Sequence, residues 1–168
     1  MTDWTDFIAA EPELAARTRG ILTATTNCVL GTLRADGSPR LSGIDPFFVG
    51  DVLYIGSMEG ARKAADLRRD PRLSLHCVPW ESRRLREGAF DPGDADAKLT
   101  GRAVPILDLD DQAAVMAALA AERGFDPPEG GELFAIDVDS AVVVFVEGDQ
   151  LVIDRWTPGE GRVTIRRS

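Results

Sequence analysis

The chain has 168 residues, enough for one domain with its own core and too few for two. Nineteen Lys and Arg against 28 Asp and Glu give a formal net charge of -9, a field that repels polyanions and argues against nucleic acid as a partner. Apolar residues at 44% and charged residues at 28% exclude a disordered or fibrous chain. No apolar run approaches the roughly 20 residues that span a bilayer, and residues 1–10 carry two aspartates and no base. The expectation is a cytoplasmic chain, neither secreted nor inserted in a membrane.

Residues 1–23 read as an N-terminal helical segment of one or two short helices. Asp3 or Thr5 can cap the first, Pro12 suits the first turn of the second, and Leu14, Ala15, Ile21 and Leu22 form an apolar stripe. Extended runs follow at 29–33, 39–49 and 52–57, separated by Asp36-Gly37 and Gly50-Asp51, and predict three antiparallel strands joined by tight turns. A short helix is expected over 60–69, stopped by Asp70-Pro71, and a strand over 73–78. Residues 81–96 show no period and read as a surface loop. A strand at 97–107, a helix at 110–123 capped by Asp110 or Asp108, and strands at 134–146, 151–156 and 162–165 complete the chain. Seven or eight strands with about three helices, without βαβ alternation, predict a mainly β fold with peripheral helices over the single domain 1–168: a closed or nearly closed antiparallel barrel.

The chemistry is sparse. His76 is the only histidine, which removes most Ser-His-Asp and Cys-His arrangements and every multi-histidine metal site. Beside Cys77 in an apolar strand, it reads as a core or barrel residue. Cys28 and Cys77 form no CxxC pair and are expected as reduced, buried thiols. Gly31, Gly37 and Gly43 do not make a dinucleotide fingerprint, and no Walker motif is present. Acidic runs at 91–96 and 108–111 lack calcium-loop spacing and read as loop and cap. The informative segment is 54–67, a strand running into a helix that opens on Arg62 and Lys63. Cations facing the positive end of a helix dipole cost a few tenths of a kcal/mol unless an anion compensates. Ser57, the free N–H groups of the helix start and these two bases together outline a phosphate pocket; a pair of solvated surface charges is the alternative.

Arg40-Leu41-Ser42-Gly43-Ile44-Asp45, then Tyr54 to Ser57, then Ala61-Arg62-Lys63-Ala64, then Asp70-Pro71-Arg72-Leu73 follow one another in a familiar order. The chain resembles the pyridoxamine 5'-phosphate oxidase-like, FMN-binding split β-barrel family. The resemblance implies a homodimer with FMN between the barrels and hydride transfer to or from a small organic substrate. It implies that Arg62 and Lys63 hold the FMN phosphate, and that Arg40, Leu41, Ser42 and Gly43 run along the ribityl chain and ring. Ile55, Gly56 and Ser57 would contact the flavin from the next strand. Asp96 stands where the oxidase has a glutamine at the ring, a departure from the pattern, and Arg155 with Trp156 matches a segment contributed by the partner subunit. Trp4 and Trp80 are further aromatic candidates for a flavin or an interface. The oxidase's C-terminal Arg-x-His pair is absent, which argues against vitamin B6 oxidation. Two alternatives keep the fold: an 8-hydroxy-5-deazaflavin-dependent reductase, whose longer anionic tail would use Arg68, Arg69 and Arg72, and a non-enzymatic flavin or haem carrier.

Overall fold

The computed structural model describes residues 4–24, 28–77, 95–124 and 130–168. Four helices and nine strands form among them: α1 (Trp4–Ala10), α2 (Pro12–Thr23), β1 (Cys28–Leu33), β2 (Pro39–Ile44), β3 (Pro46–Val49), β4 (Val52–Ser57), α3 (Arg62–Arg69), β5 (Arg72–Cys77), β6 (Ala95–Pro105), α4 (Leu109–Arg123), β7 (Glu132–Glu147), β8 (Gln150–Thr157) and β9 (Gly161–Arg167). The expected barrel of antiparallel strands with short flanking helices is the observed architecture. Most of the expected 81–96 loop lies outside the described residues, but Ala95 and Asp96 belong to β6.

The run expected as one strand over 39–49 is two. It breaks at Asp45, and the halves join opposite ends of the hydrogen-bonded path β2-β1-β5-β6-β7-β4-β3. One residue advances the chain by at most about 3.6 Å, so the two ends must lie side by side, and the sheet curls into a barrel with its seam at Asp45. Strand β7 forks the sheet. β6 runs along one edge of it from Phe134 to Phe145; on the other edge residues 132–135 pair with β4 and residues 141–147 with β8. A bulge between Thr100 and Gly101 bends the β6–β7 ladder. A Cβ at position 101 would collide with the Asp137 carbonyl oxygen, which requires glycine there.

Alternating burial along β1 and β6 turns Leu30, Thr32, Ala97, Leu99 and Ala103 into the barrel. The N-terminal helices cover that core. Leu14, Ala15, Ile21 and Leu22 are buried as the stripe predicts, and Pro12 opens α2. Trp4 meets Phe7 and Phe48 edge-on, and Phe7 stacks on Trp156 at 4.3 Å. Arg17 lies 3.6 Å over the Phe145 ring, a cation–π contact that keeps a half-buried guanidinium in favourable surroundings.

The cysteines overturn the expectation of free thiols. The register Val29↔His76 places Cys28 opposite Cys77, their Cα atoms are 4.5 Å apart, and a disulfide joins them. That spacing is the close approach of a non-hydrogen-bonded antiparallel pair. Their separation of 49 positions in sequence concealed the pairing. No helix among the described residues is long and apolar enough to cross a membrane.

Candidate functional site

Strand β4 leads into α3 through Met58 and the turn at Glu59-Gly60. Helix α3 starts at Arg62 with no acidic residue in its first turn and no side chain capping it from Ala61. The dipole's positive end and two cations therefore stand together without an acidic side chain in that first turn. Arg62 is exposed and has no hydrogen-bond or ion-pair partner among the described residues. Lys63 reaches across to β2, donating from Nζ to the Gly43 carbonyl at 2.8 Å.

Beside these residues lies a groove of about 450 Å³, within the size range of small-molecule sites. Gly43, Gly56, Ser57 and Lys63, four of the expected cofactor residues, line it. Ser57 contributes a side-chain oxygen that is buried and has no hydrogen-bond partner among the described residues, a state that costs on the order of 1–3 kcal/mol until a donor or acceptor arrives. A Cβ added to Gly43 or Gly56 would meet nothing within 4 Å, so both positions leave open space for a ligand. The donor set, the orphaned hydroxyl and the bare floor fit an aromatic cofactor that carries a phosphate.

The remaining expected residues are distributed elsewhere. Arg40 turns toward α3, its Nε 2.6 Å from Asp66 Oδ2, and Asp66, only 3% exposed, also accepts from Thr32 Oγ1 at 2.9 Å and Arg69 Nη2 at 3.1 Å. The Arg40 hydrogen bond foremost, helped by those from Thr32 and Arg69, holds the Asp66 carboxyl below its usual range against the opposing effect of burial. Leu41 projects outward and is 75% exposed, Ser42 is half-buried, and the Ile55 side chain lies in the core. Trp156 is 2% exposed and gives its ring to Phe7 in the core, not to an open surface. Arg155 is exposed, 3.6 Å from Glu160. Trp4 is likewise a core residue, and Trp80 lies outside the described residues.

Asp96 bonds to His76, Oδ2 to Nε2 at 2.7 Å. The expectation of a core histidine is corrected: its side chain is 42% exposed on the outer face of β5, because Leu73, Leu75 and Cys77 take the inward positions of that strand.

Helix α4 supplies groove residues that the sequence reading missed: Met116, Leu119 and Arg123, with Asp45, Phe47 and Met58 from the other walls. Their signal was the helical spacing 112, 116, 119, 123, which puts Gln112, Met116, Leu119 and Arg123 on one face. The cap was legible: Asp108 accepts from the N–H groups of Asp110 and Asp111.

The profile of the pyridoxamine 5'-phosphate oxidase family matches residues 14–146. The chain belongs to that family. Solved structures carry the same fold at low identity. PhzG from Burkholderia lata 383, in complex with tetrahydrophenazine-1-carboxylic acid, is 13% identical with a TM-score of 0.59, covering 96% of this chain and 91% of its own. A heme binding protein from Mycobacterium smegmatis is 16% identical with a TM-score of 0.57, covering 91% and 87%. HutZ, the heme storage protein from Vibrio cholerae, is 18% identical with a TM-score of 0.55, covering 77% and 89%. No curated protein sequence matches. Proteins that share this fold thus bind different ligands, and the choice of ligand has to be argued from the site.

Proposed function

We propose that the chain binds FMN in the groove between β2, β4, α3 and α4 and acts as a flavin-dependent oxidoreductase on a small organic substrate other than pyridoxamine phosphate. One observation carries the reading: Arg62 and Lys63 open an uncapped helix start, and Lys63 shares the groove with Ser57, whose buried hydroxyl has no partner among the described residues. Arg62 and Lys63 would hold the phosphate, Ser57 would hydrogen-bond the cofactor, and Phe47, Met116 and Leu119 would exclude water from the groove. FMN would supply the hydride chemistry when bound, so the groove needs no nucleophile of its own.

The deazaflavin reading needs additional free cations, and the three expected to provide them are engaged. Arg68 pairs with Glu132. Arg69 bonds to Asp66 and to the Leu33 carbonyl. Arg72 holds Asp70 through two donors, which lowers that carboxyl to about 2. A haem reading would call on His76, whose Nε2 is taken by Asp96. FMN makes the smaller demand: Arg62 has no partner among the described residues, and Lys63 holds only the Gly43 carbonyl.

The homodimer reading is supported by an apolar outer face. The registers put Val144, Ile153 and Ile165 in one row of β7, β8 and β9 and Val142, Arg155 and Val163 in the next. Val163 and Ile165 are exposed on this last strand, and a second copy would cover them. Sedimentation measures this directly, and a monomer at all accessible concentrations would remove it.

The decisive test is a fluorescence titration with FMN and riboflavin. Wild type is expected to bind FMN more tightly than riboflavin. Arg62→Ala combined with Lys63→Ala should weaken FMN binding by about 100-fold, two charge-assisted hydrogen bonds at roughly 1.5 kcal/mol each, and leave riboflavin binding nearly unchanged. Equal FMN affinity in the variant and wild type would refute the phosphate assignment.

A further inference from the structure

We propose that His76 and Asp96 are a proton-handling pair at the ring end of the cofactor site, an inference that rests on the FMN reading above. The ladder registers align Gly43, Val29, His76 and Lys98 in one outward-facing row across β2, β1, β5 and β6. Neighbouring strands lie about 4.8 Å apart, so His76 stands two spacings, about 10 Å, from Gly43. The Gly43 carbonyl is the acceptor of the Lys63 bond. The row thus begins at the cationic wall of the groove and reaches the imidazole.

The positions between them on β2 and β1 are glycines and exposed apolar residues. Gly43 and Gly31 add no side chain there, and Val29 and Leu41 stand exposed beside them. Gly43 belongs both to this row and to the groove, so a cofactor whose phosphate is held at Lys63 would lay its ring along these positions. At the far side His76 is fixed through Nε2 by Asp96, and Lys98 Nζ lies 3.7 Å from the same carboxylate oxygen. A carboxylate on one imidazole nitrogen sets the tautomer: the proton sits on the nitrogen facing Asp96, and the other becomes the acceptor. Nδ1 has no partner among the described residues. His76 therefore can hold or return a proton at Nδ1, with Asp96 balancing the imidazolium charge and Lys98 steadying Asp96. From Val29, the neighbour on β1, no charge faces the ring. Asp96 serves as the positioning residue of the pair.

Because His76 is the only histidine in the chain, its imidazole Cε1–H is a single proton NMR resonance that needs no assignment by mutation. The full chain is titrated with FMN, and with riboflavin as a second probe carrying the ring alone, while flavin fluorescence and this resonance are followed in the same samples. The expected result is a displacement of the His76 resonance that tracks flavin occupancy and reaches the same end point with both probes. His76→Gln and Asp96→Asn should each weaken FMN binding by up to about tenfold, the worth of one hydrogen bond, with the melting temperature held. A chain saturated with FMN by fluorescence but showing an unmoved His76 resonance overturns the pair while leaving the cofactor reading intact. Absence of flavin binding by fluorescence overturns both.

Discussion

Helices α3 and α4 stand on either side of the groove and are fastened by opposite means. Helix α3 has eight residues and is pinned through a buried carboxylate: Asp66 takes hydrogen bonds from Thr32 on β1, Arg40 on β2 and Arg69 on α3 itself. Lys63, one turn earlier, adds its bond to β2. Helix α4 has fifteen residues, of which only Leu119 is buried; it rests on a small cluster with Phe47 and Leu133, separate from the main core. A directional ionic node fixes position and rotation together, whereas a few apolar contacts fix only proximity. The wall that presents the cations is thus pre-set, and the wall that closes over the ligand is the one able to adjust.

The largest test of this contrast is Asp66→Ala. Removing the acid strands a mostly buried Arg40, and breaking such a pair costs about 3–5 kcal/mol, which for a chain of this size is a fall in Tm of about 10 °C. A shift of only a degree or two would show that α3 is held by Ala64 and Leu67 instead. Leu119→Ala comes next, at about 2–3 kcal/mol for a truncated leucine. Here hydrogen exchange is the sharper probe: α4 amides should lose protection while β6 and β7 keep theirs, and a uniform loss across the chain would merge the two regions into one cooperative unit.

Acid gives a smaller and graded version of the same contrast. Asp66 titrates below its ordinary value in the folded chain, so its contribution is complete above the unfolded value near 3.9 and is lost as the pH falls through the lower, folded one. Asp154 behaves alike: burial alone would raise it, but hydrogen bonds from Arg162 and Thr164 at 2.6 and 2.5 Å outweigh that. Stability should hold above about pH 5 and fall below about pH 4, with α3 losing exchange protection before α4, which contains no buried carboxylate. Simultaneous loss would remove the distinction between the two fastenings.

Local chemistry was readable in the sequence and partnership was not. The turns at Asp36-Gly37 and Gly50-Asp51, Pro12 at a helix start and the Asp108 cap depend on neighbouring residues, and each stands where the pattern placed it. The break at Asp45 depends on the closure of the whole sheet, and its local mark, Pro46 at the start of β3, was passed over inside an extended run. Cys28 and Cys77 meet only because β1 pairs with β5. His76 was legible in principle, since alternation from Leu73 turns it outward, but its apolar neighbours suggested the core. Of the expected site, Gly43, Gly56, Ser57 and Lys63 share a groove, while Arg40 and Asp96 were already claimed by Asp66 and His76. Such claims arise between residues 20 or more apart in sequence, beyond the reach of any local pattern.

The seam at Asp45 acts as a hinge pin. With β2 ending at Ile44 and β3 starting at Pro46, the two edges are leashed there at roughly 7 Å and cannot part. Any gape of the barrel along this line must open like a wedge, widest far from the pin and nil beside it. Asp45 is itself in the wall of the groove, so breathing of the sheet is damped just where Gly43 and Lys63 meet. Lengthening the leash by two or three glycines would move that damping elsewhere without altering a single groove side chain.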